Sequence, residues 1–358
     1  MRRLGLIMGC VAMILAISVS CKKELTNEAV NANDIAKAEE GSTSRYMYIL
    51  NEGVWGGNDA SLDRINLASG EYQRNIFGSA NGRDLGDVAN DMQIYGSKMY
   101  IVVNNSNIVE VLNPENARSV CQIQLAGKQP RYVVAHEGFV YVSCYTDEVL
   151  KIDTATFSVV GTCAVGKDPE MMAVIGNNLY TVNSGGLDNP NYDSTISVVS
   201  LDSFAEVKKV TVGINPTKIM KIDESRLLIV CNGNYDSIPS SMAVYNIGTN
   251  AVTKLAFSCT NFLISNGYAY CYDFDWGSHA AVYYRVNLSN FAKENLTLDG
   301  TGNIECPYGI AVNKGNGNIY ITDSRNFLSN GDIHCYSATG TLRYSHECGM
   351  GPSKVVMW

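Results

Sequence analysis

One pattern recurs along this chain of 358 residues. Its clearest copy is VGKDPEMMAVIGNNLYTVNSGG, residues 165–186, in which a Gly and a Pro precede an apolar strand, a Gly-Asn-Asn turn follows, and a second apolar strand ends in Asn-Ser-Gly. Seven second strands align on Tyr48, Tyr100, Tyr141, Tyr180, Leu228, Tyr270 and Tyr320. Seven first strands are predicted at 90–94, 131–135, 170–175, 217–222, 260–265, 308–312 and 353–357.

Two further strand-like segments lie between successive copies, so each unit is predicted to hold four short antiparallel strands in about 45 residues. Such a unit cannot bury both faces alone and has to stack on its neighbours. The chain enters the pattern with a second strand at Tyr46 and ends with a first strand before Trp358. The two ends therefore complete one shared unit, which predicts a closed, all-β, seven-bladed β-propeller over residues 45–358. Two β-sandwich domains are disfavoured because no linker interrupts the repeat.

The N-terminus is predicted to lie outside this fold. Residues 1–20 combine a basic start with an apolar segment too short for a stable membrane span, as in a signal peptide. Ser20 and Cys21 follow it in the order typical of bacterial lipoproteins, which predicts Cys21 as a lipidated first residue. An ordinary signal peptide is the alternative. Residues 21–44, the lipidated Cys and the polar segment behind it, are predicted to form a flexible tether.

Composition excludes several function classes. The net charge is −8, and removal of the signal peptide deletes Arg2 and Arg3 and no acid, which gives −10. A surface this acidic, without a basic cluster, argues against a nucleic-acid partner. The cysteines beyond Cys21 form no C-x-x-C pair, so no zinc site is predicted, and their odd number leaves at least one free thiol. One or two disulfides remain possible.

A ligand site is predicted on the face where first strands begin and second strands end. The loops there are rich in Asn, Asp and Arg and carry large aromatic side chains, which suit a polar, amide-bearing ligand with an apolar surface. The predicted contacts are Trp55, Arg83, Asp84, Asn90, Arg131, Tyr145, Asn183, Tyr192, Asn234, Tyr235, Phe274, Trp276, Arg325 and Phe327. For any single Asn, a turn-forming role is the stronger interpretation.

No catalytic residue, metal site or cofactor is predicted. The four histidines form neither an H-x-H nor an H-E-x-x-H motif. The pairs Asp84/Asp87 and Asp273/Asp275 lack a complete calcium motif. Three hypotheses stay open at this point: a binding protein, a propeller enzyme of the lyase or lactonase type, and a module that binds glycans or proteins.

Four phrases carry a family resemblance: YILNEGVWGGNDASL, NGRDLGDVANDMQIYGSKMYIVV, VGKDPEMMAV with LYTVNSGG, and CPYGIAVNKGNGNIYITD. They resemble the YncE-like propellers of Bacteroidetes, and among these the BtuG-like surface lipoproteins that bind cobalamin (vitamin B12). The resemblance covers residues 45–358 and agrees with Cys21. It implies a non-enzymatic protein, lipid-anchored to the outer membrane and exposed at the cell surface. Such a protein would capture corrinoids and pass them to a BtuB-like TonB-dependent transporter.

Overall fold

The computed structural model describes residues 30–358, and these form a ring of antiparallel β-sheets. The first seven strands are β1 Tyr46–Asn51, β2 Ser61–Asn66, β3 Tyr72–Gln73, β4 Ala89–Tyr95, β5 Lys98–Val103, β6 Ile108–Leu112 and β7 Ser119–Gln124. The next are β8 Pro130–His136, β9 Phe139–Cys144, β10 Glu148–Asp153, β11 Val159–Ala164, β12 Pro169–Ile175, β13 Asn178–Asn183, β14 Thr195–Ser200 and β15 Ala205–Thr211.

The second half of the chain continues the series. Its strands are β16 Pro216–Asp223, β17 Arg226–Cys231, β18 Ser241–Asn246, β19 Ala251–Lys254, β20 Asn261–Ser265, β21 Tyr268–Asp275, β22 Ala280–Asn287, β23 Lys293–Asn295, β24 Pro307–Val312, β25 Ile319–Asp323, β26 Asn330–Tyr336, β27 Leu342–Met350 and β28 Pro352–Met357. Three short helices accompany them: α1 Ala32–Ala38, α2 Ile76–Asn81 and a 3-10 turn at Thr301–Asn303.

The strands form seven four-stranded sheets, which confirms the predicted propeller. Blade 1 has the order β28-β1-β2-β3, and blades 2 to 7 take consecutive groups of four strands from β4 to β27. Each innermost strand contacts the innermost strands of both neighbouring blades, so the ring is closed. The closure is sealed by backbone hydrogen bonds between Tyr46 and Trp358. The predicted first strands lie within the observed ones to about one residue at either end.

The hydrophobic core lies between the blades. Seven clusters of buried side chains separate the seven pairs of neighbouring blades. The tyrosines that mark the repeat have a packing role, since Tyr48, Tyr100 and Tyr320 are fully buried in three of these clusters. Buried aromatic side chains contribute large apolar areas, which explains why a thin sheet keeps one at the same position in most copies.

An N-terminal clasp, residues Val30–Ser44, packs on blade 7 at the end of the propeller where first strands end. Ile35 of α1 is buried against blades 7 and 1, and Glu39 is only 2% exposed. The Glu39 carboxylate accepts hydrogen bonds from Tyr320 Oη at 2.6 Å and Tyr344 Oη at 2.8 Å. The sequence predicted residues 21–44 to be a flexible tether, because the segment is mainly polar. The few residues that dock it on the propeller are not evident from its composition. The signal peptide, Cys21 and the first part of the tether lie outside the described residues.

The described residues contain neither a membrane-spanning helix nor a disulfide. Within residues 30–358 no helix is long and apolar enough to cross a membrane. The nine cysteines of this part of the chain are all free thiols, and eight of them are buried. They behave as small apolar residues of the core.

Candidate ligand-binding cavity

A cavity of about 540 Å³ opens at the end of the propeller opposite the clasp, where the innermost strands begin. Ligand sites in proteins commonly measure about 300–1,000 Å³. The lining comes from all seven blades, because every innermost strand starts at the central channel. A ligand larger than this volume has to project beyond the cavity mouth.

Seven equivalent positions form a polar ring inside the cavity. In six blades the ring residue is the second residue of the innermost strand, and in blade 6 it directly precedes β20. The ring consists of Asn90, Arg131, Glu170, Thr217, Thr260, Tyr308 and Ser353. Every one of the seven carries a hydrogen-bonding side chain, although the strands around them are mainly apolar.

Arg131 is the centre of one hydrogen-bonded group. Its guanidinium pairs with the Glu170 carboxylate at 3.0 Å and also donates to Asn90 Oδ1. Glu170 further accepts a hydrogen bond from Tyr145 Oη at 2.6 Å, while the Tyr145 ring lies 4.6 Å from the guanidinium. Burial favours the neutral form of Arg131, but Glu170, Tyr145, Tyr132 and Glu52 together outweigh it, and the pKa of Arg131 is raised. This wall of the cavity is therefore charged and rigidly positioned.

A second set of polar contacts in the cavity comes from blades 7, 1 and 2. Tyr308 Oη donates to Glu52 at 2.7 Å, and Lys354 pairs with Asp91 at 2.8 Å. Burial raises the pKa of Glu52 above its ordinary value, although the Tyr308 hydrogen bond works in the other direction. Glu52, Tyr308 and Lys354 were absent from the predicted site.

Large apolar side chains surround the mouth. Trp55, Leu187, Tyr235 and Trp276 come from four different blades and are 65%, 66%, 65% and 56% exposed. Exposed side chains of this size are costly in water unless a partner covers them. The cavity thus joins a polar floor to an apolar rim.

Six of the fourteen predicted contacts line the cavity: Trp55, Asn90, Arg131, Tyr145, Tyr235 and Trp276. Three more lie behind this rim. Phe274 packs edge-on against Trp276, with 4.9 Å between the ring centroids. Phe327 stacks on Trp276 with a centroid distance of 6.4 Å, and Tyr192 packs against Tyr235 with a centroid distance of 6.1 Å. These three support the rim and are outside the cavity lining.

Four predicted contacts take part in local structure elsewhere. Arg83 pairs with Glu110 at 2.9 Å, and Arg325 pairs with Asp332 at 2.6 Å. Asp84 accepts a hydrogen bond from Asn58 at 3.1 Å. Asn234 caps its own turn by accepting from the backbone nitrogen of Ile238.

Asn183 is a part of the scaffold. It is fully buried, and its amide donates to Thr195 Oγ1 and Ser197 Oγ within blade 4. A Cβ added to Gly166 would lie 2.4 Å from Asn183 Cγ, so the Gly of the Gly-x-x-Pro pattern makes room for this side chain. Gly349 makes a similar close approach to Asn51, whereas a Cβ at Gly127 would meet no atom within 4 Å, so this packing accounts for the glycine in only some of the copies.

One group of side chains has the spacing of a metal site in the described part of the chain: Asp323, Asp332 and His334. It lies in blade 7, outside the cavity lining. Arg325 already pairs with Asp332, and Asp323 accepts backbone hydrogen bonds from Glu305 and Cys306. Both carboxylates of the group therefore already have partners within the chain.

Solved structures with a similar fold come from proteins of different kinds. A quinoprotein alcohol dehydrogenase-like protein from Bacteroides thetaiotaomicron has a TM-score of 0.65 at 12% identity, over 89% of this chain and 79% of that one. Virginiamycin B lyase from Staphylococcus aureus has a TM-score of 0.56 at 11% identity, over 73% and 84%. The computationally designed Ika8 protein has a TM-score of 0.56 at 11% identity, and the match covers 87% of this chain and 90% of that one. At such identities the likeness shows the propeller fold alone.

No protein-family model matches the sequence, and no curated protein matches it. Function therefore has to be inferred from the cavity itself.

Proposed function

We propose that this protein is a non-enzymatic surface lipoprotein that captures cobalamin or a related corrinoid in the channel cavity. The observation that supports it most is the combination of a complete polar ring with an exposed apolar rim. Corrinoids carry amide groups around the edge of a broad ring system. The polar ring offers donors and acceptors to such amides, and the rim offers Trp55, Tyr235 and Trp276 to the apolar faces.

The position of the cavity is compatible with membrane anchoring. The clasp docks at one end of the propeller and the cavity opens at the other, so the described residues nearest to the proposed anchor do not cover the mouth. In the proposed role the bound corrinoid passes to a BtuB-like TonB-dependent transporter in the outer membrane.

Isothermal titration calorimetry with cyanocobalamin tests the ligand. We expect one molecule to bind per chain with micromolar or tighter affinity. The double variant Trp55→Ala/Trp276→Ala should weaken binding at least about tenfold, because large aromatic contacts commonly dominate binding energy. Leu328→Ala is the matched control, since Leu328 is 73% exposed but lies outside the cavity lining. No binding by the wild-type protein at micromolar concentration would reject the corrinoid.

A lyase or lactonase activity is the competing proposal, and the fold is shared with virginiamycin B lyase. No histidine of residues 30–358 lines the cavity, and its carboxylates Glu52, Asp91 and Glu170 already have hydrogen-bonding or ionic partners. Metal analysis of the purified domain decides between the two. A stoichiometric divalent ion that is lost on substituting cavity carboxylates would favour the enzyme.

Cell-surface exposure is a separate proposal. Protease added to intact cells should remove the domain if it faces outward, whereas full protection would place it in the periplasm. Cys21→Ala should release the protein from the membrane fraction if Cys21 carries the lipid.

A further inference from the structure

Lys218 is a cation in the cavity without a carboxylate partner. It is the third residue of β16, is half-buried, and lines the cavity. Its Nζ has one hydrogen-bond partner in the structure, Tyr132 Oη at 3.4 Å. Among the described residues, no ion pair joins Lys218 to an Asp or Glu within 4 Å. Burial lowers the pKa of Lys218, but Tyr132 and the more distant Glu170 together raise it above its ordinary value, so the ammonium stays charged and can attract an anionic ligand.

The other two cations of the cavity lining differ from Lys218 in this respect. Arg131 is neutralised by Glu170, and Lys354 is neutralised by Asp91. A ligand anion that bound either of them would have to compete with a carboxylate already in place. Lys218 requires no such exchange.

The chain beside Lys218 adds two donors that lack acceptors. Asn215 is 1% exposed and lines the cavity, and its Nδ2 has no hydrogen-bond partner in the structure. Thr217 Oγ1, in the polar ring, is likewise without a partner. Both atoms are covered by the surrounding chain, so they reach a ligand only if this segment adjusts. Unsatisfied buried donors are rare in folded proteins, and two of them within three residues of Lys218 mark the segment Asn215–Lys218 as a binding segment.

We propose that Lys218 binds a phosphate group of the ligand, and that Asn215 and Thr217 donate to its remaining oxygens. A phosphodiester carries one negative charge and two unesterified oxygens, which match one ammonium and two neutral donors. The inference rests on the proposed function, because cobalamin carries a single phosphodiester in its nucleotide loop.

The test compares two corrinoids with two lysine variants by calorimetry. Cobinamide keeps the corrin ring and amides but lacks the phosphodiester. Lys218→Met should weaken cyanocobalamin binding roughly tenfold to hundredfold, the range expected for a charged hydrogen bond, and should leave cobinamide binding unchanged. Lys314→Met removes the same charge from an exposed loop at the clasp end and should change neither affinity. Thermal unfolding verifies that both variants fold.

Two results would overturn the assignment: an unchanged cyanocobalamin affinity in Lys218→Met, or an equal loss for both corrinoids. Thr217→Val is an independent test, because it keeps the side-chain shape and removes the donor. It should weaken the binding of cyanocobalamin and leave the binding of cobinamide unchanged.

If the wild-type protein binds neither corrinoid, the proposed function fails, and inorganic phosphate then tests the segment Asn215–Lys218 alone. Phosphate also stabilises folded proteins without a specific site, so its Tm rise over chloride of equal ionic strength should be larger in the wild type and Lys314→Met than in Lys218→Met. An equal rise in all three proteins would reject the phosphate site as well.

Discussion

Replacing Glu39 by Ala should release the N-terminal clasp. Two short hydrogen bonds, from Tyr320 and Tyr344, end on this carboxylate. A hydrogen bond to a charged group contributes about 1.5–3 kcal/mol, so these two alone contribute at most about 6 kcal/mol. Longer hydrogen bonds reach the same carboxylate from Asn313, Asn316, Asn318 and Cys335. Both tyrosine hydroxyls belong to buried side chains and would lose their acceptor. Water can reach them once α1 lifts away, which reduces the expected loss to about 2–3 kcal/mol.

Urea-induced unfolding, followed by intrinsic fluorescence, measures this loss. Glu40→Ala is the matched control, because it removes the same charge from the next residue, which is exposed and has no side-chain hydrogen bond in the structure. We expect its free energy of unfolding to stay within about 0.5 kcal/mol of the wild type. Equal effects of the two substitutions would show that the buried carboxylate does not hold the clasp.

Two further predictions concern stability. Burial raises the pKa of Glu52 above 4.5, so ionisation costs folding free energy as the pH rises from 4.5 through the raised value. Glu52→Gln keeps an acceptor for Tyr308 and should therefore be more stable than the wild type at pH 7. At pH 4 the two proteins should have equal free energies of unfolding in urea. A stability difference that does not change with pH would contradict the assignment. Gly166→Ala should destabilise by about 1–3 kcal/mol in thermal unfolding, since the new Cβ meets buried Asn183. Gly302→Ala, with no atom within 4 Å, is its control, and an equal Tm in the two variants would refute the packing explanation.

The fold could be predicted from the sequence because each blade repeats one local pattern. Apolar alternation, a Gly-containing turn and a buried tyrosine recur in nearly every copy, and the two ends of the chain supply complementary strands. The clasp could not be predicted in this way. Its docking depends mainly on Ile35 and Glu39, and the partners of Glu39 lie up to 305 positions away along the chain.

The candidate site was predicted only in part, for a geometric reason. Loop composition selected the face on which the cavity opens and included Trp55 and Trp276, but it also selected Asn183, whose side chain belongs to the blade interior. Glu52 and Tyr308 were missed although they form a hydrogen bond, because they are 256 residues apart in sequence. A usable signal existed: five of the seven innermost strands open with Pro, and the residue that follows this Pro is a member of the polar ring in each of the five.

Hydrogen–deuterium exchange with and without saturating cyanocobalamin tests the central claim, that the cavity at the strand-opening end is the ligand site. Bound ligand should slow exchange in the loops at residues 52–57, 184–191, 232–238 and 276–279, which contribute the cavity mouth. The loop at residues 313–318, at the clasp end, should exchange at the same rate in both samples. Protection confined to the clasp end or to the outer strands, or no protection with ligand bound, would contradict the account.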